Sequence, residues 1–111
     1  MLVKVFSASV QGLSAIPVTI EVNSSRGIKF FLVGLPDNAV KESHERIVAA
    51  VENSGYRFPT KQLVVNMAPA DIRKEGSAYD LPLAIGILAS AGEIQEDKLS
   101  KYLIIGELSL D

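Results

Sequence analysis

The sequence contains no cysteine and no tryptophan, and its single histidine is His44. A disulfide framework and thiolate metal sites are therefore excluded, and one imidazole leaves no partner for a multi-histidine metal site. No apolar run approaches the ~20 residues that a membrane span needs, and the first residues soon alternate with polar ones, unlike a signal peptide. We expect a cytoplasmic protein without a membrane partner.

The sequence also lacks a large excess of charge of either sign, because 11 basic and 13 acidic side chains leave a net charge of −2 over 111 residues. Nucleic-acid binding through an overall basic character is not indicated, so it would have to come from a local patch. The apolar fraction of 48% is typical of a folded globular domain, and the length fits one core. We therefore treat residues 1–111 as a single domain.

The first third of the chain has the period-2 pattern of half-buried strands, at residues 3–10 and 18–22. A third strand is predicted at residues 28–33, and the simplest arrangement of the three is an antiparallel meander that begins with a hairpin. Residues 62–67 are predicted to form a buried central strand. Another strand is expected at residues 102–105.

Two helices are predicted. The first runs from a cap at Asp37 to about Ser54, with Gly55 as the residue after it, and places His44 at the edge of its buried stripe. The second begins after a cap at Asp80 and is apolar on every side, so it should be buried. The pattern indicates an α/β (α+β) domain.

The loop before the second helix, residues 73–80, is the most informative candidate site. A helix start reached through small residues offers free backbone N–H groups to an anion or an oxyanion. Ser77 is the only hydroxyl of the loop apart from Tyr79 and would need a lysine base such as Lys74 to act as a nucleophile. The alternative is that Gly76 and Ser77 only shape a turn and that Asp80 only caps the helix.

Other sites are less well supported by the sequence. No Gly-x-x-x-x-Gly-Lys-Ser/Thr motif occurs, so no P-loop for ATP is present, and the scattered glycines make no dinucleotide fingerprint. Basic residues flank the central strand at both ends and form a candidate nucleic-acid patch made of Arg57, Lys61, Arg73 and Lys74. Arg26 and Lys29 lie in and after an earlier turn.

Four motifs in order resemble one known family. Residues 31–43 (FLVGLPDNAVKES), 65–71 (VNMAPAD), 73–82 (RKEGSAYDLP) and 106–111 (GELSLD) are similar to the N-terminal domain of magnesium-chelatase-like AAA+ ATPases of the ComM/YifB type. The resemblance implies a Lon-protease-like or ribosomal-protein-like β-α-β fold, in which a mixed sheet packs against two main helices. It also implies that residues 106–111 mark the point where a longer fold is cut.

The resemblance further implies an ATPase domain downstream, with ATP and magnesium as cofactors there and none in residues 1–111. Its members resemble hexameric helicases that promote branch migration in natural transformation, so the implied partners are the ATPase domain, other subunits of a hexamer and DNA. A Lon-type serine would fall on Ala78, with Gly76, Ser77 and Asp80 in the similar loop. We therefore expect a non-catalytic accessory domain; the alternative is a degenerate or active Lon-like serine peptidase.

Overall fold

The computed structural model describes residues 1–72, 74 and 77–110. Two strands come first, then a third strand, a long helix, a fourth strand and a short helix. Their bounds are β1 (Leu2–Gln11), β2 (Ser14–Ser25), β3 (Phe30–Val33), α1 (Asp37–Asn53), β4 (Gln62–Ala68) and α2 (Asp80–Ser90). Single 3-10 turns occupy Ser77–Tyr79 and Leu99–Lys101.

The four strands form one mixed sheet in the order β1-β2-β4-β3. The predicted hairpin is confirmed, because β1 pairs antiparallel with β2. The predicted meander is wrong: β3 pairs parallel with β4, and β4 lies antiparallel beside β2. Since parallel neighbours need a long crossover, the connection that contains α1 carries the chain from β3 to β4 as a β-α-β unit. The mixed-sheet, two-helix α+β fold is confirmed.

One face of the sheet and the two helices enclose the core. Alternate residues of β1, β2 and β4 point into it, among them Val5, Ile20 and Val65, which are fully buried. Helix α2 packs directly on this face, and its Gly86 lies so close that an added Cβ would sit 2.8 Å from Val22 Cγ2. A glycine in the middle of this helix therefore allows the close approach of helix and sheet.

The other face of the sheet carries the alternate residues and no helix packs on it in the described part of the chain. We call it the open face. By strand alternation its members are Leu2, Lys4, Phe6, Thr19, Glu21, Asn23, Phe31, Val33, Val64 and Asn66. Several of them are exposed apolar side chains. Isolated apolar side chains are usual on the solvated face of a sheet, but a group of them is not.

Helix α1 has the predicted length, but its first residue differs in role from the prediction. Pro36 occupies the cap position, and Asp37 is the first helical residue without a side-chain capping hydrogen bond. A carboxylate there still interacts favourably with the helix dipole. Gly55 has φ +90°, as expected of the residue that ends the helix. Ile47 and Val51 are buried.

The predicted strand at residues 102–105 is wrong, because the segment forms only an isolated parallel bridge between Leu103 and Phe6 of β1. The Ile104 N–H donates to the Phe6 carbonyl at 2.8 Å, and then the chain leaves the sheet edge. At Gly106 it bonds instead to the loop before α2. Competition from that loop ends the pairing after one bridge.

Candidate functional site

The loop that precedes α2 is fastened to the C-terminal segment of the chain. The Leu81 N–H donates to the Gly106 carbonyl at 3.1 Å, and the Gly106 N–H donates to the Ala78 carbonyl at 3.4 Å. The first bond occupies an N–H group in the first turn of α2 that a free helix terminus would offer to a ligand. Gly76 and Arg73 lie outside the described residues.

Asp80 does not cap α2, contrary to the prediction. The capping position belongs to Tyr79, and Asp80 is the first helical residue, fully buried at 0% exposure. Its carboxylate faces the other helix instead. The Ser43 hydroxyl donates to Oδ1 at 2.7 Å, and Arg46 donates through Nε to Oδ2 at 2.6 Å and through Nη2 to Oδ1 at 3.1 Å.

This Ser43–Arg46–Asp80 cluster joins the middle of α1 to the first turn of α2. The bidentate geometry is the strong form of an ion pair, and the hydrogen bond to Asp80 raises the pKa of Arg46 although partial burial opposes it. Sequence reasoning missed Ser43 and Arg46. Their spacing of three residues puts them on one side of a helix, but only the fold shows that this side meets a buried carboxylate.

The Ser77 hydroxyl donates to Glu107 Oε1 at 2.9 Å, in an exposed position. The Lys74 ammonium, 5% exposed, donates instead to the carbonyls of Pro69 at 2.6 Å and Ile72 at 3.1 Å. Burial lowers the pKa of Lys74, although Asp71 opposes this effect. The two groups of the candidate dyad therefore have different partners, and the structure does not bring them together as a nucleophile and its base.

The three described residues of the predicted nucleic-acid patch, Arg57, Lys61 and Lys74, are separated along β4, and Arg73 lies outside the described residues. Lys61 precedes the strand and is exposed, as is Arg57 shortly before it, whereas Lys74 follows the far end of the strand and is buried. Seven residues of strand span about 23 Å. The structure places Lys61 next to other cations instead, because the turn that holds Arg26 and Lys29 packs on the first residue of β4.

Two contacts fix that turn. The Lys29 carbonyl accepts the Leu63 N–H at 2.8 Å, and a Cβ built on Gly27 would lie 2.9 Å from Gln62 Cβ. Gly27 has φ +142°, so the turn needs a glycine for its backbone as well as for the space. Arg26, Lys29 and Lys61 are all exposed, and we call these three residues the basic corner.

Charge is unevenly divided between the sheet and the rest of the chain. Residues 1–33 and 54–68, which form the sheet and its flanking turns, carry a single carboxylate, that of Glu21. They carry five basic side chains, which are Lys4, Arg26, Lys29, Arg57 and Lys61. The remaining segments carry the other 12 of the 13 acidic residues. A net charge near zero therefore conceals a sheet layer with an excess of basic residues, whereas the excess of acidic residues belongs to the helices, the loops and the C-terminal segment.

His44 lies at the edge of the core, as predicted. Its ring contacts Phe30 of β3 at a centroid distance of 4.5 Å and Phe58 at 5.4 Å. Burial lowers the pKa of His44, and Glu45 opposes the shift. A groove of about 330 Å³ runs beside this cluster, with Ile28 and Lys61 among its lining residues. The histidine serves here as a third ring in an aromatic cluster.

Within residues 1–72, 74 and 77–110, no group of three or more His, Cys, Asp or Glu side chains could hold a metal ion. Over the same part of the chain, no helix combines the length and apolar character required to cross a bilayer.

Comparison with known proteins identifies relatives over most of the chain. The YifB protein of Escherichia coli is 46% identical over 100 residues, which are 89% of this chain and 20% of that protein. The competence protein ComM of Haemophilus influenzae is 44% identical over 107 residues, or 96% of this chain and 21% of that protein. The Mycobacterium tuberculosis protein Rv2897c is 40% identical over 109 residues, 97% of this chain and 22% of its own length.

The chain therefore spans about a fifth of the length of these relatives. The family described as the subunit ChlI of Mg-chelatase matches residues 20–111, which include β3, both helices, β4 and the loop fastened at Gly106. Together, the match over most of the chain and the identities of 40–46% show that the chain belongs to the Mg-chelatase ChlI-type family that contains ComM and YifB.

Proposed function

We propose that the chain is a non-catalytic accessory domain of a magnesium-chelatase-like AAA+ ATPase that processes DNA, for example by branch migration during natural transformation. The name of the Haemophilus relative, a competence protein, supports a role in DNA uptake. In this proposal ATP and magnesium bind to a separate ATPase domain, and the working form is a cytoplasmic hexamer. The domain contributes DNA contact or subunit assembly.

The partners of the loop side chains carry the non-catalytic part of the proposal. Ser77 is bonded to a carboxylate, and the Lon-type serine position holds Ala78. The buried carboxylate of Asp80 has all of its bonds to Ser43 and Arg46 within the fold. A loop in which Lys74, Ser77 and Asp80 all use their polar groups in bonds within the fold is suited to a structural joint.

The charge division favours DNA contact over assembly alone. Phosphates are attracted to the excess of basic residues in the sheet layer, so this layer is the preferred place for a polyanion. Lys61 and Arg57 lie on or beside that layer and are exposed. The Lys74 ammonium group donates hydrogen bonds to two backbone carbonyls, and Lys74 is therefore the least suitable of the four predicted DNA contacts.

DNA binding and sedimentation of the full-length protein, with and without residues 1–111, test the proposal. We expect the deletion to weaken DNA binding at low salt, to reduce the salt dependence of the remaining affinity, or to prevent ring assembly. Deletion that leaves both DNA affinity and assembly unchanged would contradict the accessory role. ATP hydrolysis without DNA should persist in any deletion variant that still assembles.

The alternative, a Lon-like serine peptidase, is favoured by one observation: the Ser77 hydroxyl is accessible and bonded to a carboxylate that could accept its proton. A serine-reactive fluorophosphonate probe distinguishes the two functions. Labelling of the full-length protein that disappears in Ser77→Ala supports the peptidase, whereas equal labelling of both proteins, or of neither, supports the accessory domain.

A further inference from the structure

The open face of the sheet combines exposed apolar side chains with the basic layer. At the β3 edge, Phe31 pairs with Val64, and Val64 in turn pairs with Asn23 of β2. Phe31 is 47% exposed and Val64 is 38% exposed, although the two residues are paired with each other on adjacent strands. An aromatic ring is thus displayed beside an aliphatic neighbour and a polar amide on a flat surface.

The basic corner adjoins this ring. Because Phe30 points to His44 and the core, strand alternation directs Phe31 and Lys29 to the opposite, open side. The Lys29 carbonyl continues the pairing of β3 with β4, which keeps this residue in register beside Gln62. Lys61 stands immediately before Gln62 at the same end of the sheet, where it lines the groove beside His44. Two cations therefore lie at this end of the sheet: Lys29 is two positions from Phe31 along the chain, and Lys61 is three positions from Val64, the partner of Phe31.

Anionic groups are sparse on the same face. Glu21 is its one carboxylate among the described residues, and Glu21 Oε1 accepts a hydrogen bond from Asn66 Nδ2 at 3.3 Å. Glu21 also lies directly across from Lys4, which balances its charge. The basic corner is therefore left without a carboxylate partner in the sheet layer, and its charge is available to a partner of opposite sign.

We propose that the open face binds single-stranded DNA, with its phosphates at Arg26, Lys29 and Lys61 and one base stacked on Phe31. The inference rests on the DNA contact in the proposed function and assigns it to a surface and a form of DNA. The match is one of charge complementarity, since Arg26, Lys29 and Lys61 are exposed at this end of the sheet and the ligand is a polyanion. Exposed aromatic rings on a flat, basic surface are the common platform for single strands.

A duplex fits this face less well. Its bases are stacked inside the helix and cannot present an open face to Phe31, so only its phosphates would be recognised. A single strand can use both the ring and the cations. The geometry therefore predicts preference for a single-stranded oligonucleotide over the same sequence as a duplex.

Fluorescence anisotropy of the full-length protein with a labelled oligothymidylate, at several salt concentrations, tests the proposal. Replacing Phe31 by leucine keeps an apolar side chain on the strand but removes the ring, and we expect affinity to fall about 5- to 100-fold. Tyr102→Leu is the matched control, because Tyr102 is 60% exposed and lies beyond the opposite edge of the sheet. The control should leave affinity unchanged.

The triple variant Arg26→Gln/Lys29→Gln/Lys61→Gln tests the phosphate contacts. Each contact to a single strand contributes about 0.7 to the slope of log affinity against log salt, so the slope should decrease by about 2. The matched control, Lys41→Gln/Lys98→Gln/Lys101→Gln, removes the same charge from exposed positions outside the sheet layer and should retain most of the slope.

The outcomes separate this inference from the proposed function. If the full-length protein binds DNA but neither the Phe31 nor the triple variant differs from its control, the open face is not the site and the accessory role stands. Equal losses for duplex and single strand would overturn the stacking part of the proposal. If residues 1–111 can be deleted with no change in DNA affinity, DNA contact by the domain fails as well, and assembly is left as its role.

Discussion

Removal of the Arg46 guanidinium is the sharpest test of how the two helices are held together. In Arg46→Met the Asp80 carboxylate loses its ion-pair partner and with it two charged hydrogen bonds, at 2.6 and 3.1 Å. Only the bond from Ser43 remains, at 2.7 Å. Breaking a buried pair by removing one partner costs about 3–5 kcal/mol, because the other charge is left uncompensated.

The lower end of that range applies here. The Arg46 side chain is 27% exposed, so water can reach part of the space that it leaves and hydrate the carboxylate. We expect the free energy of unfolding to fall by about 3 kcal/mol, a large part of the ~5–15 kcal/mol typical of a domain. With an m-value of about 1.5 kcal/mol/M, the urea midpoint should decrease by about 2 M.

Urea unfolding followed by circular dichroism measures this change, with three companion variants. Arg57→Met removes an exposed guanidinium and should change stability by less than about 0.5 kcal/mol. Arg46→Lys should fall between the wild type and Arg46→Met, since an ammonium group cannot make the bidentate contact. Combining Arg46→Met with Asp80→Leu removes both charges and should recover part of the loss.

A loss below about 1 kcal/mol in Arg46→Met would refute the reasoning, because it would mean that the Asp80 carboxylate is already hydrated. Additive effects in the double variant would refute it too, since residues in direct contact must show a coupling energy.

Three other expectations follow from single positions. Since burial lowers the pKa of His44, the folded state binds a proton at this histidine less readily than the unfolded chain does. The contribution of His44 to the free energy of unfolding should be fully present above pH ~6.5 and should decrease as the pH falls below that value. His44→Gln should lose this part of the pH dependence of urea unfolding. Gly86→Ala should lower the melting temperature and cost about 1–3 kcal/mol of stability, because the clash with Val22 Cγ2 outweighs the gain in helix propensity. A higher melting temperature would show that the sheet moves to make room for the methyl group. Ser7 and Ser43 are both fully buried, but the Ser7 hydroxyl has no hydrogen-bond partner among the residues that the structure describes. Ser7→Ala should therefore be neutral or stabilising, whereas Ser43→Ala should cost about 1–2 kcal/mol in the same denaturation assay, and equal losses would contradict the assignment.

The local parts of the fold were predictable because they depend on neighbouring residues. Alternation of apolar and polar side chains predicted β1 and β2, a segment too short for a helix predicted β4, and the terminal signal at Gly55 predicted the end of α1. The order of the strands was not predictable in this way. Proximity in sequence favoured β3 beside β2, but α1 between β3 and β4 requires a parallel crossover, and periodicity carries no information about which strand lies next to which.

The candidate site was less predictable, because its contacts join distant segments. A local rule assigned Asp80 to a helix cap, yet its partners lie 34 and 37 residues away on α1. The basic layer was hidden for a similar reason. Its five cations are scattered between Lys4 and Lys61, and Lys61 comes beside the turn of Arg26 and Lys29 only when β4 is inserted between β2 and β3.

The late insertion of β4 also has a consequence for biosynthesis. When the ribosome has synthesised only the first hairpin, the second edge of β2 still lacks its neighbouring strand. Ser25 pairs with Gln62 and Thr19 pairs with Ala68, and neither partner has yet been synthesised. A nascent chain shorter than this therefore exposes a long strand edge to other polypeptides, with core residues such as Val22 uncovered. Ala68 marks the minimum length at which the sheet can close, and chains arrested before it should be the species that chaperones bind.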